Sequence, residues 1–475
     1  MHLFNPFQKQ IRELTASDLK RLQEIPEGWY IEYKRTFPDA ASVAKSLSAF
    51  ANSSGGWIFY GIKEDDDTRT AEEFVGIPTD SVPQAEEWLR QAATDSVSPS
   101  PHFDHIVISG PNPEIGLADG RAIIVVNVPQ GNNSPYLHRS GRIYRRIGDA
   151  SDPIHETDRH SLDLLWQRSQ RRRTEFQKLV AGEGPLSEAE KSATYITLYF
   201  FPDPWDSRSL SSKIDFEGFA HLMKDDSSRT GQLQFDNVFT ASDAFIARQV
   251  RNNDPYLQVF MWKYYQNCVS EITIPIPSVL IGSEEFEPFL RGYSFSTSFI
   301  QHCSSIGLNA GWALDLSQSY FILSSIMVRL YRLFEIEGLS WPVYMKARIA
   351  NAWRRVPFLD TPDYALFIRN FGLPIVQQRE CYAPYGTDPD SCFRLNDAGF
   401  EWVEDPDERC IVARNVDACH VLLQIAEALG LHYSATGFGP RRTEEEDNWL
   451  TKMCEMGGRA IEVSQSRNSV FPRRT

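Results

Sequence analysis

The stretch SAFANSSGGWIFYGI, residues 48–62, specifies a helix end, a glycine hinge and a strand in fifteen consecutive residues. Val43, Leu47, Phe50 and Ala51 recur at helical spacing, so one stripe of this helix is apolar and needs a sheet to cover. Gly55 and Gly56 are expected to supply the positive-φ freedom that a helix end followed at once by a reversing strand requires. The run WIFYGI, with Gly61 near its end, is β-branched, aromatic and uncharged, and reads as a strand packed on both faces.

Just upstream, EGWYIEYK (residues 27–34) reads as a second strand. Alternation sends Trp29, Ile31 and Tyr33 one way and Tyr30, Glu32 and Lys34 the other. Glu27 precedes Glu32 by five positions, so twist or a loop can bring both carboxylates to one site. The bland alternative is an edge strand on which Glu32 and Lys34 form a solvated pair.

These pieces come in a recognisable order. Glu-x4-Glu-aromatic-Lys precedes a helix ending Ala-Phe-Ala-Asn-Ser-Ser-Gly-Gly, in which Asn52 sits just before the hinge, and then an apolar strand ending Gly-Ile with acidic residues after it. Ile123–Val128 (IIVVNV), Ser134-Pro135-Tyr136 and Tyr144-Arg145-Arg146-Ile147-Gly148 follow. From about Glu27 to Trp166 the chain resembles the AlbA-like domain of the Schlafen group. The resemblance implies DNA or RNA binding, with Arg146 matching the family's arginine.

A second implication is metal-dependent ribonuclease chemistry on three acids. Glu27 and Glu32 match two of them, and Glu64, Asp65 or Asp66 stands in for the third because Lys63 occupies the expected place. Clustered carboxylates are stable as anions only around a cation, which makes magnesium or manganese the expected cofactor, held by Glu27 and Glu32. Family nucleases resemble two tandem copies closing around RNA, so one copy here suggests a homodimer. The family's ATP-binding label has only paired glycines and arginines to support it, and a role in phage defence is implied by the resemblance alone.

Charge narrows the surface that a nucleic acid could use. The net charge is −15 over 475 residues, yet Arg121–Lys178 carries 11 basic against 6 acidic residues. Arg139, Arg142, Arg145 and Arg146 fall on or near a hairpin, and Arg168, Arg171, Arg172 and Arg173 on the next helix. With Lys34, the candidates for phosphate contact are Arg139, Arg142, Arg145, Arg146 and Arg172. For the helix, the equal alternative is pairing with Glu175 and Asp163.

The expected class is α+β. Residues 1–26 form a lead helix opened by Thr15 with Asp18, 27–166 the AlbA-like domain, 167–190 a charged helix and the linker AGEGPLSEAE, and 191–475 a larger α+β domain. In the latter, Tyr195–Phe201, Val238–Val250 and Tyr256–Tyr264 read as strands, the last two joined by a turn at Asn252–Pro255. Phe216, Phe219, Ala220 and Met223 make a helical stripe, a helix runs from Ala418 to Leu429, and the tail NSVFPRRT is expected to be loose. Tyr320–Phe334, broken by Arg329 and Arg332, reads as a buried helix and not a membrane span. No secretory leader is apparent, so the cytoplasm is expected. Seven cysteines without Cys-x-x-Cys spacing read as reduced thiols. A zinc site of Cys410, Cys419 and His420, or a couple of His302 and Cys303, is the weaker alternative. No P-loop and no G-x-S-x-G elbow occurs.

Overall fold

The computed structural model describes residues 4–147, 152–182, 190, 193–205, 212–224, 235–249, 259–339, 342–395, 406–437 and 449–467. The class is α+β, and the chain divides into two compact units, residues 1–175 and 176–475.

In the first unit, strands β1 (Ile31–Lys34), β2 (Gly56–Tyr60), β5 (Ile77–Pro78), β7 (Asp104–Ser109) and β8 (Arg121–Val128) build one sheet; between them in the chain lie β3 (Lys63–Glu64), β4 (Ala71–Glu73) and β6 (Val97–Ser98). The order is β1-β2-β8-β5 with β7 also on β8, and β1 and β2 are parallel. Ile31, Tyr33, Trp57, Phe59, Ile123 and Val125 pack on one face with Phe7, Leu19 and Leu22. The other face presents Ile58, Tyr60, Ile124 and Val126 to helices α1 (Ala40–Asn52) and α2 (Val82–Asp95). Asp39 caps α1 by accepting from Ser42 N at 2.8 Å. A second small sheet runs β11 (Ile154–His155), β10 (Arg142–Arg145), β9 (Leu137–His138), β6, and helix α3 (Arg159–Ala181) carries the division between the units.

The two hinge glycines do different jobs. Gly55 has φ +74° as expected, and a Cβ there would stand 2.7 Å from Val128 O. Gly56 lies outside the left-handed region, so the expected positive φ is corrected. It must be glycine for space, because a Cβ would collide with the Phe50 ring and lie 2.6 Å from Tyr30 O.

Three further expectations change. The lead segment is a 3₁₀ helix, Ala16–Glu24, although the Thr15–Asp18 box forms, Thr15 N donating to Asp18 Oδ2 at 2.8 Å. The first strand begins at Ile31 and not Glu27, since Gly28 N turns back to Ile31 O; Trp29 is consequently exposed. Val238–Val250 is not one strand. It is a hairpin of Asn237–Thr240 and Ala244–Arg248, because Ala241 N bonds Ala244 O around Ser242-Asp243.

The second unit is organised on an eight-stranded sheet ordered Asn237–Thr240, Ala244–Arg248, Met261–Tyr265, Ser270–Ile276, Thr194–Phe201, Val343–Ala350, Glu380–Ala383, with Phe393–Leu395 also pairing on Val343–Ala350. Helix Phe216–Lys224 buries Phe219 and Met223, helix Leu316–Glu337 is buried along nearly its whole length, and helix Pro406–Ala428 contains the expected apolar stripe. Among the described residues no helix is long and apolar enough to cross a membrane. The turn Asn252–Pro255, most of AGEGPLSEAE and the tail NSVFPRRT lie outside the described residues.

Candidate functional site

Strand alternation aims Glu32 away from the Ile31 and Tyr33 face, toward α1. There both carboxylate oxygens are engaged: Oε2 accepts from Arg146 Nη1 at 2.8 Å, and Oε1 accepts from Ser46 Oγ at 2.8 Å with Lys34 Nζ 3.3 Å away. Arg146 also donates to Gly28 O and Ile31 O, its backbone N–H donates to Ser53 Oγ, and its guanidinium lies 4.9 Å from the Phe50 ring centre. Glu32 and Arg146 are each only 1% exposed. This overturns two expectations: that Glu32 joins Glu27 in holding a metal ion, and that Arg146 contacts phosphate. Burying a carboxylate is costly unless cations and hydrogen bonds surround it, and Arg146, Lys34 and Ser46 supply them.

Glu27 is also buried, but differently. Its backbone N–H donates to Arg69 O, and its Oε2 accepts from Arg69 Nη2 at 3.0 Å. Arg69 holds φ +60°, at the end of the Asp65–Thr68 turn, which aims both its groups at Glu27. Glu27 Oε1 and Glu64 Oε2 are buried and meet no N–H or O–H donor among the described residues other than each other's carboxyl. Burial first, then the facing Glu64 carboxyl, push the Glu27 carboxyl above its ordinary range, while Lys34 pulls the other way. Tyr33 adjoins both acids, and burial followed by Glu27 and Glu64 raises its hydroxyl.

The residue placing Glu64 is Gly61, whose φ of +98° lets Gly61 N donate to Lys34 O as β2 leaves the sheet. Lys63 then points outward to Glu72 Oε2, 2.5 Å away, and Glu64 inward. Asp65 is spent on its own turn, accepting from Asp67 N, Thr68 N and Thr68 Oγ1. Of the expected catalytic set, Glu27 and Glu64 come together, Glu32 is committed to Arg146, and Asp65 stands apart. Among the described residues, no three His, Cys, Asp or Glu side chains are placed to hold a metal ion. The donors in place among the described residues thus do not fit a three-carboxylate magnesium or manganese site.

The cations sort by exposure. Arg145 is half-buried and salt-bridged to Glu156 at 2.7 Å. Arg172 is 8% exposed, which corrects its expected contact with an external backbone; it turns inward on α3. Lys34 is half-buried beside Glu32. Arg139 and Arg142 are exposed at the β9–β10 turn and make no salt bridge among the described residues; Arg139 lies near enough to Asp39 to help hold its carboxyl low, after the Ser42 hydrogen bonds.

Asn52 is fully buried and stitches α1 to this hairpin. Its Nδ2 donates to Tyr136 O and Tyr144 O, and its Oδ1 accepts from Tyr136 N at 2.7 Å. Arg168 directs Nη1 at the last α1 carbonyls, those of Ala51, Asn52 and Ser53. Sequence reasoning missed Ser46, Ser53 and Arg69 as partners. The Asp-rich turn ahead of Arg69 was the only local signal for any of them.

Compared with known proteins, residues 27–155 match the family model described as Schlafen, AlbA_2, and the first unit carries a Schlafen AlbA-like domain over that span. No curated protein matches the chain. Solved structures similar to part of it include the following two. The DIP2311 protein from Corynebacterium diphtheriae is 20% identical over 30% of this chain and 24% of its own length, with a TM-score of 0.20. The N-terminal domain of a RecG-related protein from Nitrosomonas europaea is 25% identical over 31% of this chain and 97% of its own, with a TM-score of 0.22. The chain thus spans about a quarter of the length of the first.

Proposed function

We propose that the AlbA-like domain binds nucleic acid through the phosphate backbone, along the β9–β10 hairpin. The observation that carries this reading is the pair Arg139 and Arg142, exposed and outside every salt bridge among the described residues, within a stretch of an acidic chain, Arg121–Lys178, where basic residues outnumber acids. Guanidinium groups left in water at a hairpin tip match phosphate oxygens and release counterions when they engage them. Asn52 and Arg146 serve this surface indirectly by fixing the hairpin to α1 and β1.

The test is fluorescence anisotropy of a labelled single-stranded oligonucleotide with the full chain and the Arg139→Glu/Arg142→Glu variant. The reading predicts that the variant binds at least about tenfold more weakly at low salt; equal binding overturns it. Parallel incubations with Mn²⁺ and with a chelator address cleavage. Metal-dependent cutting that disappears in Glu27→Gln would replace a binding role with a nuclease.

A further inference from the structure

A cavity of about 470 Å³ opens at the end of the main sheet where β1 and β2 finish and β8 begins. Arg35, the residue after β1, and Arg121, the first of β8, both line it, and both are exposed. Arg121 Nη1 reaches Gly76 O at 3.4 Å, and neither arginine makes a salt bridge among the described residues. None of the lining residues is an aspartate or glutamate. In a chain of net charge −15, a concavity with two arginines and no acid selects for an anion.

The remaining walls are aromatic. Phe37 is held against Tyr60 with ring centres 4.6 Å apart, and Trp88 of α2 lies 6.3 Å from Phe37. Trp88 is half-buried, and its indole N–H has no partner among the described residues. Ser81 and Gln84 at the start of α2 add polar groups at the mouth. Aromatic faces take flat rings, guanidinium forks take phosphate oxygens, and the volume lies in the range of small-ligand sites.

We propose that this cavity binds a nucleoside monophosphate, its base against Trp88 and Phe37 and its phosphate between Arg35 and Arg121. The ligand is either a free nucleotide or the 5′-phosphorylated end of a strand. The site is separate in its residues from the Arg139–Arg142 hairpin, so it stands or falls independently of backbone binding there.

Isothermal titration of the full chain with adenosine 5′-monophosphate, adenosine, ribose 5-phosphate and inorganic phosphate tests it. The monophosphate should bind at least about tenfold more tightly than each fragment, because base and phosphate are both held. Arg35→Ala, Arg121→Ala and Trp88→Ala should each weaken it about tenfold, with Trp88→Phe intermediate and Arg139→Glu/Arg142→Glu without effect. Competition by 5′-phosphorylated but not 5′-hydroxyl oligonucleotides assigns the strand end, and its absence assigns the free nucleotide. The proposal is overturned if the monophosphate does not bind, binds no better than phosphate, or binds the three pocket variants as it binds the wild type.

Discussion

Arg146 and Glu32, 114 positions apart in the chain, meet at 2.8 Å in a place where neither side chain reaches water. The arginine that the family resemblance points to as a ligand-binding residue is thereby a brace: it neutralises a buried acid, takes two carbonyls at the start of β1, and lies over Phe50 of α1.

Removing one member of such a pair strands the other. Arg146→Met should destabilise the first unit by about 3–5 kcal/mol, whereas Glu32→Met/Arg146→Met should recover a large part of that loss. Urea unfolding of the two variants checks it. Full stability of Arg146→Met with loss of oligonucleotide binding would instead make Arg146 a ligand contact.

Asn52 satisfies three backbone groups that have no water to turn to. Asn52→Ala leaves Tyr136 N–H and the Tyr136 and Tyr144 carbonyls without it, at a cost of about 3 kcal/mol. Thermal melts should show the loss, and amide exchange at Tyr136 should accelerate.

The Glu27–Glu64 pair gives stability a pH dependence of defined sign. An acid whose carboxyl sits above its ordinary value of 4.5 in the fold holds its proton more tightly folded than unfolded. Stability therefore falls as pH rises from the unfolded value through the raised folded one, and the full penalty persists above it. Glu27→Gln keeps an acceptor for Arg69 and removes the repulsion from Glu64. Its stability relative to wild type should improve across that window and then level off. Parallel stability curves from pH 4 to 8 would contradict the shared burial of these acids.

Much of the first unit was legible because its signals are local. The stripe Val43, Leu47, Phe50, Ala51, the hinge at Gly55 and the run Trp57–Tyr60 each follow from neighbours a few positions away, and all three form. The site was less legible because its partners are distant. Alternation could put Glu32 and Lys34 on one face, yet nothing near Glu32 announces Arg146, and nothing near Glu27 announces Arg69. The same holds for the cavity, where Arg35, Trp88 and Arg121 share no spacing and are joined only when the sheet brings the end of β1 to the start of β8. Gly56 shows a subtler limit. The residue type was anticipated for its backbone freedom, whereas Phe50, packed against it from α1, requires it for want of space.

The most direct test of backbone binding is its salt dependence, measured as the slope of log affinity for single-stranded DNA against log salt concentration in wild type and Arg139→Ala/Arg142→Ala. If these two guanidinium groups each displace a counterion, the slope should flatten by roughly 1.4 in the double variant, about 0.7 per phosphate contact. An unchanged slope with unchanged affinity would contradict the account.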